Sequence, residues 1–153
     1  MVFMALMNCP NLVTIQAEWN NIGSSATGLM ALLYLVQNLR FIELIDLKNN
    51  KISHQVAEIL AEIIKTNSRS LTVLDLRWNE LGEVGAQILY PAIAFNSSLR
   101  SIGLEDNRIS SQTLAQISEY LKNPTRGTVH VTSNFNKTTK TEPMAPPSYF
   151  PIT

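Results

Sequence analysis

One feature constrains this chain above all others: an asparagine returns at Asn20, Asn50, Asn79 and Asn107, 30, 29 and 28 residues apart, with the same apolar pattern around it each time. Eight, five and three residues before it stand Leu12, Ile15 and Ala17, then Ile42, Ile45 and Leu47, then Leu71, Leu74 and Leu76, then Leu99, Ile102 and Leu104. Two residues after it come Ile22, Ile52, Leu81 and Ile109. The two closely spaced apolar positions before each asparagine have period two, that of a short strand with one buried face. A unit of this length buries its apolar side only against a neighbouring copy, so the repeat excludes most other architectures.

The segment after each asparagine changes period. Leu29, Leu32, Leu33 and Val36 recur at i, i+3, i+4 and i+7, as do Val56, Ile59, Leu60 and Ile63, and Ala86, Leu89, Tyr90 and Ile93. These are amphipathic helices of about three turns. Their starts share a column, Gly23, Ser53, Gly82 and Ser110: two capping serines and two glycines suited to a turn. Their ends share another, Asn38, Asn67, Asn96 and Asn123, asparagine being the residue besides glycine that best tolerates a left-handed helix cap. Pro91 lies inside the third pattern and is expected to kink or interrupt that helix near Leu89. The repeated asparagine, buried where the chain leaves the strand, is expected to satisfy backbone groups with its amide.

This LxxLxLxxN pattern, spanning residues 11–123, resembles the leucine-rich repeat, and its period with a full helix resembles the ribonuclease-inhibitor-like subclass. The resemblance implies an α/β fold: a right-handed solenoid, a horseshoe segment with parallel strands on the concave face and helices on the convex face. Phe41 and Leu44 add apolar bulk outside the columns, and Leu44 is expected to be an exposed contact.

The two ends depart from the repeat. Asn8 fills the helix-end column, so residues 1–10 read as the end of a truncated preceding repeat, favouring a fragment over a short isoform or an edge covered by a partner. After Asn123 the composition shifts toward Thr, Pro, Ser and Asn, and residues 124–153 form a tail expected to be mostly disordered. Within it, residues 127–132 alternate as a short final strand or remnant of a fifth repeat would. Pro146, Pro147 and Tyr149 form a PPSY motif that looks like a WW-domain ligand, set against chance in a proline-rich stretch.

Twelve basic residues balance twelve acidic ones, so nothing attracts nucleic acid or an anionic membrane. The longest apolar run, residues 29–36, is far short of the roughly 20 residues of a membrane span. The single cysteine, Cys9, excludes an intrachain disulfide and reads as a packed thiol in a reducing compartment, and His54 and His130 lie too far apart in sequence for metal-ligand spacing. No cofactor, metal or small-molecule substrate is expected.

With the register fixed, the strand-face positions fall into columns. Four before the asparagine are Gln16, Asp46, Asp75 and Gly103; two before are Glu18, Lys48, Arg77 and Glu105; one before are Trp19, Asn49, Trp78 and Asp106. An enzyme would need Asp46 and Asp75 as a carboxylate pair with Arg77 as electrophile. No nucleophile or phosphate loop joins them, and a ladder of compensated surface charges accounts for the same residues. The expected protein-binding surface is Glu18, Trp19, Asp46, Lys48, Asp75, Arg77, Trp78 and Glu105. Trp19 and Trp78 are read either as interface anchors or as indoles folded over the turn onto the neighbouring repeat.

The order of motifs, EWNNIG at 18–23, LKNNKISHQVAEILAEIIKTN at 47–67, LDLRWNELG at 74–82 and LEDNRIS at 104–110, resembles the repeat region of the leucine-rich repeat-containing protein 45 family, of the centrosome-linker type. That resemblance implies a non-enzymatic protein-binding scaffold of the centrosomal or ciliary cytoskeleton, cytoplasmic and without the coiled coil that comes after the repeats there. The alternative is a ligand-sensing or regulatory repeat domain of a cytosolic immune receptor or small-GTPase regulator.

Overall fold

The computed structural model describes residues 5–39, 41–121 and 130–132. Five short strands form one sheet in chain order: β1 (Thr14–Gln16), β2 (Leu44–Asp46), β3 (Val73–Asp75), β4 (Ser101–Gly103) and β5 (His130–Thr132). Every neighbouring pair is parallel, and Ile15, Ile45, Leu74, Ile102 and Val131 fall on one rung. Four helices come after strands β1 to β4: α1 (Ala26–Asn38), α2 (Ala57–Thr66), α3 (Gly82–Phe95) and α4 (Ser111–Leu121). The chain is thus an α/β repeat with a parallel sheet along one side and helices along the other. Leu6–Asn8 form a 3-10 turn before the first strand, and residues 133–153, including the PPSY motif, lie outside the described residues.

The core lies between sheet and helices. Ile45, Leu74 and Ile102 are fully buried, as are Leu47, Leu76, Leu32, Leu60 and Leu89. The side chains of three repeat asparagines join this interior and hold consecutive repeats together. Asn79 Nδ2 donates to the carbonyls of Leu47 and Leu76 at 3.0 and 2.9 Å, and its Oδ1 accepts from the amides of Asn50 and Ile52 at 2.9 and 3.0 Å. Asn50 and Asn107 repeat the arrangement one unit earlier and one later, reaching back to Ala17 and Leu76. Asn20 is exposed and bonds only its own turn, at Ala17 and Glu18.

Several expectations are corrected. α3 runs through Pro91 without interruption. Pro91 and Gln87 are both exposed, so the carbonyl that loses its partner can turn to water. The helix-end asparagines Asn38, Asn67 and Asn96 are not left-handed; their amides instead bond helix carbonyls, Asn38 to Tyr34 at 2.8 Å, Asn67 to Ile63 at 3.1 Å and Asn96 to Ile64 at 2.9 Å. Asn123 lies outside the described residues.

Of the turn glycines only Gly82 has a positive φ, 61°. Gly23 serves close approach instead, since a Cβ there would lie 2.5 Å from Ile52 Cα. Ser53 and Ser110 do cap, accepting from the amides of Gln55 and Thr113. Leu44 is half-buried rather than exposed, because it sits within strand β2, between β1 and β3. Cys9 is exposed rather than packed, held at the surface as its amide closes the 3-10 turn onto Leu6.

Candidate functional site: the charged row and the indole rim

The last residues of strands β1 to β4 share a rung, Gln16, Asp46, Asp75 and Gly103. Beyond it the chain turns, and the next residues form the row Glu18, Lys48, Arg77 and Glu105, all half-buried. The acids and bases pair along and across this row. Arg77 Nε lies 2.9 Å from both oxygens of Asp75 and 3.6 Å from Glu105 Oε2, while Lys48 Nζ lies 3.4 Å from Asp46 Oδ2. Glu18 takes part in none of the ion pairs among the described residues.

Burial pushes the Asp75 carboxyl up, but hydrogen bonds from the Arg77 side chain and amide, with the charges of Arg77 and Lys48, outweigh it and hold the group below the ordinary carboxylate value. Asp75 raises the Arg77 guanidinium in return. A carboxylate fixed in its charged form and bonded to a guanidinium is poorly suited to moving protons near neutrality. The arrangement orders a charged surface.

Gly103 makes the pairing possible. A Cβ at this position would stand 2.7 Å from Asp75 Oδ1 and 3.0 Å from Arg77 Cγ, so the bare backbone leaves room for the pair to lie across β4. Sequence reasoning places Gly103 among the exposed positions, but it is buried beneath that pair. A signal exists in the sequence, since Gly103 is the one residue without a side chain in the column of Gln16, Asp46 and Asp75.

The next column is the rim of the sheet. Trp19, Asn49, Trp78 and Asp106 all take left-handed backbone, with φ of 59°, 52°, 55° and 56°. Asparagine and aspartate tolerate this conformation, whereas a bulky side chain there is an outlier costing on the order of 1–2 kcal/mol. The two indoles are half-buried and meet each other, their centroids 6.0 Å apart and planes inclined at 58°. Trp78 Nε1 also donates to Asp106 Oδ2 at 2.7 Å. Trp78 thus reaches over the neighbouring repeat to Asp106, and both indoles remain partly accessible.

Elsewhere, Glu83 on α3 caps the start of the next repeat's helix, accepting from the Ser110 amide at 2.9 Å and from the Thr113 hydroxyl; these bonds, Thr113 first, hold its carboxyl below the usual range. An open hollow lined by Tyr90, Gln116, Glu119 and Tyr120 lies between α3 and α4 on the helix side. Among the described residues no cluster of His, Cys, Asp and Glu is placed to hold a metal ion, and no helix is long and apolar enough to cross a membrane.

No protein-family model matches the sequence, and no curated protein matches it significantly. Solved structures do match the fold. A leiomodin-1 structure, described as its actin-binding site 2, aligns with a TM-score of 0.70 and 21% identity, covering 88% of this chain and 78% of that one. The tropomodulin C-terminal domain from Caenorhabditis elegans aligns with a TM-score of 0.65 and 18% identity, covering 91% of this chain and 83% of that one. At these identities the likeness is one of fold.

Proposed function

We propose that the chain is a non-catalytic protein-binding module of the cytoskeleton, with residues 11–123 as its binding unit and the indole rim beside the charged row as its contact surface. The observation that carries this reading is the placement of Trp19 and Trp78 at left-handed positions that the same column elsewhere fills with Asn49 and Asp106. The repeat needs no tryptophan there, and partly exposed aromatics on a rigid support are typical interface anchors. Actin is the partner class suggested by the leiomodin-1 structure of similar fold, whose description names an actin-binding site.

The test is sedimentation with actin filaments and titration of monomeric actin, using the full chain and a Trp19→Ala, Trp78→Ala variant whose folding is checked by circular dichroism. Binding by the parent that weakens at least about tenfold in the variant, roughly 1.4 kcal/mol, is the expected result. A parent that binds neither form of actin removes actin from the reading. A variant that binds as well as the parent removes the rim.

The order of the EWNNIG, ISH and LDLRWNELG motifs favours a second, finer reading, a scaffold at the centrosome or ciliary base. Imaging the tagged full chain against a centrosomal marker decides it; diffuse signal with no enrichment there would sink it.

A further inference from the structure

The parallel register fixes where the chain leaves the sheet. Thr132, the last residue of β5, shares the rung of Gly103, Asp75, Asp46 and Gln16. Trp78 and Trp19 stand three residues beyond that rung, after β3 and β1. The chain therefore leaves the described sheet, at Thr132, on the side that carries the indoles. At about 4.8 Å per strand, Trp78 stands about 10 Å and Trp19 about 19 Å along the sheet from this exit. Residues 133–142, extended, reach up to about 33 Å.

Beyond this tether lies PMAPPSYFP, residues 143–151, with Pro143, Pro146, Pro147 and Pro151 around Tyr149 and Phe150. Proline-rich segments dock on aromatic surfaces because their rings lose little freedom on binding and stack against flat faces. The Trp78 N–H is already engaged by Asp106, and both indoles remain partly exposed.

We propose that the indole pair of Trp19 and Trp78 is a proline-recognition surface whose resident occupant is this chain's own segment 143–151, which a partner must displace. The proposal rests on reading the rim as a contact surface. The tether places the segment at an effective concentration on the order of 1 mM, so a contact with a Kd of about 0.1 mM is roughly 90% populated. The PPSY motif then has a role inside the molecule: a segment held on the rim is withheld from other proline-binding domains.

Trp19 and Trp78 are the chain's two tryptophans, so indole fluorescence reports this surface alone. The full chain is compared with a full-length variant carrying Pro146→Ala, Pro147→Ala, Tyr149→Ala and Phe150→Ala, its circular dichroism matched to the parent. The variant should emit at longer wavelength and its acrylamide quenching constant should roughly double as the aromatic faces open. A synthetic peptide of residues 141–153 at millimolar concentration should reverse both changes. Equal emission and quenching in parent and variant would overturn the proposal. So would shielding that grows with protein concentration, which would assign the segment to a second copy. No partner is present in the measurement, so a negative result leaves the actin experiment standing, and failure to bind actin leaves the shielding standing.

Discussion

Trp19 and Trp78 belong to the first and third repeats, yet their ring centroids lie 6.0 Å apart, spanning the second repeat, whose residue in the same column is Asn49. Asn49 itself has the left-handed φ of the column, 52°. The contact, and the surface it forms, spans three consecutive repeats.

Trp78→Asn tests whether the indole serves the fold. The change relieves a left-handed conformation costing about 1–2 kcal/mol and loses an aromatic contact of about 0.5–1.5 kcal/mol. The urea unfolding free energy should move by less than about 1 kcal/mol, while binding through the rim is lost. A loss of more than about 3 kcal/mol would make Trp78 a structural residue.

Asn79→Ala should behave in the opposite way. It strips the partner from the carbonyl of Leu47 and from the amides of Asn50 and Ile52, all in the interior, while the Leu76 carbonyl keeps its bond from Asn107. Several buried groups left unsatisfied together should cost about 3–5 kcal/mol. The same change at exposed Asn20 should cost under about 1 kcal/mol, and equal losses at the two positions in urea titrations would refute the ladder's role.

Gly103→Ala should disturb the ion pair above it, costing about 1–3 kcal/mol as Asp75 and Arg77 are pushed aside. In an Asp75→Ala background the obstructing carboxylate is gone and the cost should shrink. A double-mutant cycle with no coupling would show that the pair does not depend on the glycine.

The acid limb of stability should carry the signature of Asp75. Its folded pKa lies below the ordinary value of 3.8, so its stabilisation is fully present above that value and is lost as pH falls toward the lower folded one. Asp75→Asn should flatten this part of the profile in acid titrations monitored by circular dichroism. An unchanged slope would mean that other carboxyls govern it.

The repeat columns make the fold legible because each apolar slot recurs under the same constraint: Ile45, Leu74 and Ile102 have to share a rung once their asparagines are aligned. The charge row comes from the same register. The details that escape depend on relations a single period cannot express. Residue preference makes Asn67 and Asn96 left-handed caps, whereas their amides find carbonyls at the helix end. The general rule for proline ends the helix near Pro91, and its exposure decides otherwise. The contact of Trp19 with Trp78 spans two repeats, so no comparison of neighbouring units reveals it.

The asparagine bonds also have a direction. Asn107 reaches back to Leu76, Asn79 to Leu47 and Asn50 to Ala17, each fastening its repeat to the one before it. Pulled by its ends in an optical trap, such a chain should yield in a staircase, each step releasing one stitch and lengthening the tether by a single unit.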